Sequence, residues 1–279
     1  IICGVVISKR FLKTVEQFTN NIQKIKSDGF EHRLKIEGND ELAMLGREFN
    51  ETISLAHQAL KQQDQFVSDA SHELKTPLAI IKGNIEMLQR WGKDDPEILN
   101  NGLEVAHSEV ERLAQLCNEL LHLTREMKIQ CDNPIEVEPI VEEIVNNFKE
   151  MHPEFEYVIT INSTDQVWMQ PEHLKQLLII LIDNAIKYAR DDSKKIEISY
   201  DSLKLKVKDY GIGIDADKIE YIFDRFYRAD ESRAQNNNNF GLGLAIAKRV
   251  CSSYGYSLEV ASTINEYTEF TITFIRSSE

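Results

Sequence analysis

The chain has 279 residues, with 46 acidic and 32 basic side chains and a formal net charge of −14. This length is enough for two or three domains that each bury a core of their own. The acidic balance argues against a nucleic-acid-binding surface, which needs a basic patch to neutralise phosphates. The cysteines (Cys3, Cys117, Cys131 and Cys251) form no CxxC pair, so the sequence indicates neither a zinc site nor a disulfide framework, and a reducing cytoplasm fits.

Residues 1–8 are predicted to be the end of a membrane-spanning helix. The apolar run Ile1–Ile7 is followed by Lys9 and Arg10, and such cations are typical of the cytoplasmic flank of a span. The run is far shorter than the ~20 residues that cross a bilayer, and the start of a buried helix is the alternative. Our interpretation places the rest of the chain on the cytoplasmic side of the cell membrane.

Residues 9–57 are predicted to form a helix, a polar connector and a second helix. Ser27–Gly29 ends the first pattern, and Asp40–Glu41 supply cap and dipole charges for the next helix. The arrangement resembles a HAMP signal-relay domain, although Thr14 stands where that family usually has proline. The first helix is indicated by apolar residues spaced four and three apart, namely Phe11, Val15, Phe18, Ile22 and Ile25.

The second helix is predicted to be long and to lead into a helical hairpin, which we assign to residues 58–131. Its apolar seam runs from Leu42 to Ala70, so a movement at the first helix can reach residue 70 mechanically. The pattern stops at Trp91–Pro96, where Asp95 caps the return helix. The return helix carries an apolar stripe too long for two helices to cover, so we expect a four-helix homodimer.

The run Ser71–Pro77, SHELKTP, contains the first candidate catalytic residues. At about 100° per residue, His72 lies opposite the seam and faces solvent, with Thr76 one turn further on. A neutral imidazole is a nucleophile, and Glu73 is placed to hold its reactive tautomer. The alternative is an exposed histidine without a chemical role.

The run Ser71–Pro77 resembles the phosphorylation-site motif of the dimerisation and phosphotransfer domain of histidine kinases. That resemblance implies that His72 is phosphorylated, Glu73 is the acid/base, and Thr76 supports dephosphorylation of a partner.

Residues 132–279 are predicted to form one α/β sandwich, because helical and strand patterns now alternate. The predicted helices are 140–148, 171–189 and 241–251, and the strands lie near 157–161, 195–208, 257–261 and 268–275.

Three groups of residues in this sandwich suit a nucleotide. In the helix from residue 171, Asn184 offers an oxygen ligand for Mg²⁺, Lys187 a charge for phosphate and Tyr188 a flat surface. After a strand, Asp209 can accept a hydrogen bond from adenine, while Gly211 and Gly213 allow close backbone approach.

The third group opens the last helix, where Gly241, Leu242 and Gly243 leave amide hydrogens for phosphate. The polar stretch 230–239 predicts a lid, and Arg228 or Arg233 could reach the phosphates. Taken separately, each of the three groups could equally be an ordinary surface stripe, strand turn or helix start.

Together with the segment Phe223–Arg228, which precedes the polar stretch, the three groups resemble in chain order the N box, first glycine box, F box and second glycine box of the histidine-kinase ATP-binding domain. The resemblance implies a multidomain chain, in which an all-α coiled coil and four-helix-bundle dimer precede an α/β sandwich of the Bergerat type. It implies that ATP and Mg²⁺ are bound, with Asn184 on the metal and Asp209 on adenine. The glycines at 211, 213, 241 and 243 would shape the pocket.

The sequence departs from this pattern at three places. Ile180 replaces a frequent second asparagine, Asn238–Phe240 replaces glycines before the second glycine box, and Asn265–Thr268 replaces a late glycine box. These differences put nucleotide affinity or turnover in doubt. Ile180 also disfavours the related ATPases, which place a glutamate there as the base.

We therefore expect a sensor histidine kinase that phosphorylates His72 from Mg-ATP and passes the phosphate to an aspartate of a response regulator. The rivals are a related ATPase and a signalling scaffold that has lost catalysis.

Overall fold

The computed structural model describes residues 12–13, 15–17, 19–20, 22–23, 33–34, 36, 41–93, 95–124, 131, 133–228 and 240–275. The chain divides into two compact units, residues 1–72 and residues 73–279. The boundary falls inside a long helix. The predicted membrane exit at residues 1–8 lies outside the described residues, and no helix within them has an apolar stretch long enough to cross a membrane.

In the first unit, the described residues between 12 and 23 are all helical. A long helix, α1, spans Glu41–Trp91, so its first part lies in this unit and begins where the charged Asp40–Glu41 pair predicts a start. The connector before it is tied to α1 by Asn50. The amide of Leu34 donates to Asn50 Oδ1 at 2.8 Å, and Asn50 Nδ2 donates to the carbonyl oxygen of Leu34 at 3.0 Å.

The second unit begins with the rest of α1, which turns into a second helix, α2, over Pro96–Thr124. The side chain of Asp95 caps α2, because its Oδ1 accepts hydrogen bonds from the amides of Glu97 at 2.9 Å and Ile98 at 3.3 Å. The predicted hairpin is therefore present. Pro77 lies inside α1, which continues through this residue without interruption.

A five-stranded sheet follows, with strand order β1-β2-β3-β5-β4. Strand β1 runs parallel to β2, and the other neighbouring pairs are antiparallel. The elements are α3 (Val137–Met151), β1 (Glu156–Ile161), α4 (Pro171–Lys187), β2 (Lys195–Asp201), β3 (Lys204–Asp209), α5 (Gly243–Ser253), β4 (Ser257–Thr263) and β5 (Tyr267–Thr273).

One face of the sheet is buried and the other is not. Alternate residues of β2, β3 and β5 are inaccessible, and they pair across the strands, as Ile198 does with Val207 and Val207 with Phe270. Helices α3, α4 and α5 pack on this sheet, and α4 also contacts each of the other two. The period-two pattern thus yields a two-layer α/β sandwich, which confirms the predicted fold class.

Several helix bounds differ from those predicted. Helix α3 extends three residues beyond each end of the predicted 140–148, and α5 begins at Gly243 rather than at Gly241. The shift in α5 matters because the two residues before it form a separate loop, in which Gly241 has a φ of 70°.

Candidate functional site

A cavity of about 390 Å³ opens in the sandwich, within the usual size range of small-molecule sites. It lies where strand β3 and helix α4 end and helix α5 begins. Its wall includes residues from all three predicted nucleotide groups and from the β4–β5 turn. The residues that line it are Asn184, Tyr188, Asp209, Ile212, Gly213, Ile214, Asp215, Lys218, Ile222, Tyr227, Gly241, Gly243, Leu244, Ile264, Asn265, Thr268 and Phe270.

Asp209 is the last residue of β3, and its side chain lies on the buried face of the sheet, with 6% of its surface exposed. Burial raises the pKa of Asp209 to about 6, and a hydrogen bond from the amide of Gly211 to Oδ1, at 2.9 Å, opposes that shift. Thr268 of β5 lies directly opposite Asp209 and is buried as well. A carboxylate and a hydroxyl thus stand together on an otherwise apolar surface, where a bound polar group would find partners.

The loop after β3 is held so closely that glycine is required. A Cβ on Gly211 would lie 2.2 Å from the carbonyl oxygen of Tyr188, and one on Gly213 would lie 2.2 Å from that of Thr263. Gly213 also has a φ of 68°, which other residues rarely adopt. The amide of Ile212 donates to the carbonyl oxygen of Tyr188 at 3.1 Å, so the loop is fastened to the end of α4.

The β4–β5 turn closes the same wall. The amide of Asn265 donates to the carbonyl oxygen of Ile212 at 2.8 Å, and Arg190 donates from Nη1 to the carbonyl oxygen of Asn265. Asn265 has a φ of 61°, in the left-handed region that asparagine tolerates better than most residues. At the departure Asn265–Thr268 the asparagine thus adopts a backbone conformation that generally favours glycine.

The start of α5 forms another side of the cavity, through Gly241, Gly243 and Leu244. Amides in the first turn of a helix lack intrahelical acceptors, and the first turn of α5 contains no acidic residue. This end of the helix therefore favours an anion. The amide of Phe226 donates to the carbonyl oxygen of Gly241 at 3.0 Å, which ties the F-box segment to the second glycine loop.

The cavity brings together most, but not all, of the residues predicted to bind nucleotide. Gly211 and Leu242 are not among the lining residues: Gly211 packs against the carbonyl oxygen of Tyr188, and the side chain of Leu242 is fully buried. Lys187 and Arg228 are not part of the lining, and Arg233 lies outside the described residues. The predicted residues that do line the cavity are Asn184, Tyr188, Asp209, Gly213, Gly241 and Gly243.

Lys187 instead forms an ion pair along its own helix. Its Nζ lies 2.6 Å from Oδ2 of Asp183, one turn earlier in α4. Ile180, the departure from the N box, is half-buried, and its Cγ2 would be 3.4 Å from a Cβ on Gly243. The aliphatic side chain thus packs under the start of α5.

Sequence reasoning missed Thr268 as a cavity residue, together with Lys218, Tyr227 and Phe270. A signal for Thr268 was present, since it is the one polar residue in the inward-facing series Thr268, Phe270 and Ile272 of β5. Only the pairing of β3 with β5 shows that this series begins opposite Asp209.

The predicted phosphorylation motif lies on α1. The side chains of His72 and Thr76 are exposed, and that of Glu73 is half-buried. His72 therefore faces solvent, as the helical spacing predicts.

The two parts of the chain match two different family models. Residues 62–127 match the His Kinase A (phospho-acceptor) domain. Residues 169–278 match the histidine kinase-, DNA gyrase B-, and HSP90-like ATPase. Together these matches cover more than half of the chain, in the order that the sequence motifs predict. The chain therefore belongs to the histidine kinases, with a phospho-acceptor domain followed by an ATPase-like domain.

Among its relatives is the signal transduction histidine-protein kinase ArlS of Staphylococcus aureus, with 36% identity over 277 residues. The aligned region covers 96% of this chain and 61% of that protein, so the chain spans less than two thirds of this curated relative.

Solved structures share the fold at lower identity. Histidine kinase ThkA, in a complex with response regulator protein TrrA, gives a TM-score of 0.62 at 22% identity, covering 80% of this chain and 65% of ThkA. The Acinetobacter baumannii histidine kinase AdeS gives 0.55 at 22% identity, covering 74% of this chain and 98% of AdeS. Full-length ShkA in complex with AMPPNP gives 0.53 at 22% identity, covering 75% and 45% of the two chains.

Proposed function

We propose that this chain is the catalytic part of a protein-histidine kinase, which uses Mg-ATP to phosphorylate His72 and then donates the phosphate to an aspartate of a response regulator. The observation that carries the proposal is the buried Asp209 carboxylate in a glycine-lined cavity, on the same chain as an exposed histidine in a matching phospho-acceptor domain.

The cavity fits an adenine nucleotide in its donors and acceptors. Asp209 would accept a hydrogen bond from the exocyclic amine of adenine, and the close-packed loop at Gly211 and Gly213 would admit a planar base. The start of α5 would receive phosphate, and the side-chain oxygen of Asn184 would serve as a ligand of Mg²⁺, which usually shares its coordination with phosphates. Bound Mg²⁺ would neutralise the charge that develops on the phosphates during transfer.

His72 and Glu73 would carry out the chemical step. The lone pair of one imidazole nitrogen forms a bond to the γ-phosphorus while the bond to the bridging oxygen breaks, and ADP leaves. Glu73 accepts the proton from the other ring nitrogen, so that the imidazole ring of the phosphohistidine is uncharged and only its phosphoryl group carries negative charge. Thr76, one turn beyond His72 on the same surface of α1, would support dephosphorylation of the response regulator.

The partner and the assembly are proposed from the family and from the apolar surface of the hairpin. ThkA was solved in a complex with response regulator protein TrrA, which favours a receiver domain as the phosphate acceptor. Apolar side chains on the hairpin are more than a third exposed in one chain, which favours burial against a second copy in a homodimer. Those side chains are Leu78, Ile85, Leu99, Leu103 and Val110.

Residues 9–57 would act as a HAMP-type relay from a membrane-spanning helix, with this chain on the cytoplasmic side of the cell membrane. The hydrogen bonds between Asn50 and Leu34 support a connector that moves together with α1. One residue inserted at Gln62 would rotate everything beyond it by about 100°, whereas a seven-residue insertion nearly restores the phase. We expect the first insertion to change the autophosphorylation rate severalfold and the second to change it little. Equal rates in both would contradict the relay.

Incubation with γ-labelled ATP tests the main proposal and separates it from its rivals. The chain should acquire acid-labile, alkali-stable label, and the label should disappear in His72→Gln. Steady phosphate release without labelling would indicate a related ATPase. Neither labelling nor hydrolysis would indicate a scaffold. Equal labelling of the variant would refute His72 as the acceptor.

A further inference from the structure

A lysine on the open face of the sheet lies against two aromatic rings. Nζ of Lys208 is 5.0 Å from the centre of the Tyr210 ring and 4.6 Å from the centre of the Tyr267 ring. Both distances are within the ~6 Å over which a cation is attracted to the face of an aromatic ring. Tyr210 directly follows β3 and Tyr267 begins β5, so the three residues link the end of one strand to the start of its neighbour. Lys208, Tyr210 and Tyr267 are together termed the outer clamp.

The outer clamp lies on the reverse side of the cavity wall. Successive side chains of a strand point to opposite faces of the sheet. Lys208 is half-buried on the open face, and the next residue, Asp209, is buried on the other face. Tyr267 and Thr268 alternate in the same way. The carboxylate and the hydroxyl that stand together in the cavity are therefore each one residue away from a member of the outer clamp.

Asp209 and Thr268 form the last pair of the ladder between β3 and β5. The end of a ladder has paired neighbours on one side only, so it opens more easily than the middle. The outer clamp crosses this end and also includes the residue before Gly211, whose amide donates to Oδ1 of Asp209 at 2.9 Å. The contacts of the outer clamp thus restrain the backbone on both sides of the Asp209 carboxylate.

We propose that Lys208 is a positioning residue of the nucleotide site. Its ammonium group joins Tyr210 to Tyr267 on the open face of the sheet, and this contact keeps Asp209 and Thr268 in place for adenine on the buried face. The inference deepens the proposed function and rests on it, because adenine is the base that Asp209 would bind. Lys208 acts only through the residues that it positions.

The test is a calorimetric titration of the 279-residue chain with Mg²⁺ and AMPPNP. Lys208→Gln removes the ammonium group, so the affinity should fall by about fivefold to tenfold, as expected for the loss of contacts between a cation and two rings. Lys208→Met keeps the length of the side chain without its charge and should bind as weakly. Lys208→Arg should bind within about twofold of the wild type, because a guanidinium also stacks on aromatic rings.

Lys206→Gln is the matched control. Lys206 is half-buried on the same face of β3, and its Nζ is 2.8 Å from Oε1 of Glu269 in β5. The substitution therefore makes the same change in net charge and also removes a contact between β3 and β5. Its AMPPNP affinity should stay within about twofold of the wild type, because an ion pair this exposed contributes little.

A double-substitution cycle shows whether the effect of Lys208 passes through the rings. Tyr267 is the ring to vary, because the ammonium of Lys195 also lies 5.7 Å from the centre of the Tyr210 ring. In a Tyr267→Leu background, Lys208→Gln should weaken binding by at most about half the factor seen in the wild type. In a Tyr267→Phe background, which keeps the ring, the loss should be full.

The rate of autophosphorylation separates positioning from a general loss of stability. In Lys208→Gln the apparent KM for ATP should rise by the same factor as the AMPPNP dissociation constant, while the rate at saturating ATP stays within about twofold of the wild type. A lower saturated rate with an unchanged KM would overturn the inference.

Two other outcomes would overturn the inference and leave the proposed function standing. One is AMPPNP binding by Lys208→Gln that is as tight as that of the wild type or of Lys206→Gln. The other is an equal loss on Lys208→Gln in the Tyr267→Leu and Tyr267→Phe backgrounds. A wild-type chain that does not bind AMPPNP would overturn both the inference and the proposed function.

Discussion

Gly213 in the cavity wall and Gly83 on the outer surface of α1 are both glycines, but their surroundings are opposite. A Cβ on Gly213 would lie 2.2 Å from a backbone oxygen, whereas a Cβ on Gly83 would meet nothing within 4 Å apart from the adjacent backbone of its own helix. The acidic residues differ in the same way. Asp209 is 6% exposed at the end of a buried strand, and Glu73 is half-buried beside an exposed histidine.

The difference reflects what each region has to do in the proposed reaction. In that proposal the cavity would hold a ligand of fixed shape, and backbone segments from α4, β3 and the β4–β5 turn are joined to one another by hydrogen bonds. The surface of α1 around His72 would meet two successive partners, a nucleotide and a receiver domain, and it is open to solvent. Substitutions in the wall should therefore change nucleotide affinity, and substitutions beside His72 should change the rate of transfer.

The largest contrast is expected between Gly213→Ala and Gly83→Ala. In the first, the added methyl group must displace the backbone at Thr263, at a φ that alanine adopts poorly, and such backbone strain costs on the order of 1–3 kcal/mol. We expect AMPPNP affinity to fall by about 100-fold, the upper end of that range. Gly83→Ala should leave affinity unchanged and raise the free energy of unfolding by about 0.5–1 kcal/mol. Calorimetry and urea unfolding check both, and equal losses would refute the contrast.

Glu73→Ala should slow autophosphorylation by about 100-fold or more, because the proton of the His72 ring then has no positioned acceptor. AMPPNP affinity should stay within about twofold of the wild type, since Glu73 is not among the residues that line the cavity. Single-turnover labelling measures the rate, and calorimetry measures the affinity. A variant that transfers phosphate at the normal rate would remove Glu73 from the mechanism.

Asp209→Asn should weaken AMPPNP binding by about tenfold, because a neutral amide is a poorer acceptor for the adenine amine than a carboxylate.

The same variant tests the buried charge through the pH dependence of the free energy of unfolding. The pKa of Asp209 is about 6 in the folded chain, above the ordinary value of 3.8. The extra stability from holding the proton is full below about pH 4 and is lost as the pH rises through 6.

The wild type should therefore gain about 1 kcal/mol in the free energy of unfolding, relative to Asp209→Asn, between about pH 7.5 and pH 5. Nucleotide affinity should move the other way, because the ionised carboxylate is the better acceptor. Titration of the nucleotide phosphates affects the affinities of the wild type and of Asp209→Asn equally, so it cancels when the two pH profiles are compared. Parallel pH profiles for the two chains would contradict the assignment of this charge.

Local pattern was enough to predict the helical hairpin, the sandwich and six of the seventeen residues that line the cavity. Asp95 and its capping bonds follow from residues next to one another, and the glycine loops follow from their positions after a strand and before a helix. Contacts between distant segments were not predictable in this way. Thr268 lies opposite Asp209 because β5 pairs with β3, and α2 contacts α5 of the sandwich, which the apolar stripe of the return helix does not indicate.

The smallest expected effect concerns Asn265, where the departure from the glycine pattern put nucleotide affinity in doubt. Asn265 already has a φ of 61° and its amide is bonded to the Ile212 carbonyl oxygen, so glycine would bring no new geometry to the wall. Asn265→Gly should change the free energy of unfolding by less than about 1 kcal/mol and affinity by less than about threefold. Asn265→Val should lower the free energy of unfolding by about 1–2 kcal/mol, because a β-branched residue is strained at this φ. Urea unfolding of both variants measures these changes, and calorimetry measures the AMPPNP affinity. A large gain in affinity in Asn265→Gly would mean that the asparagine limits nucleotide binding.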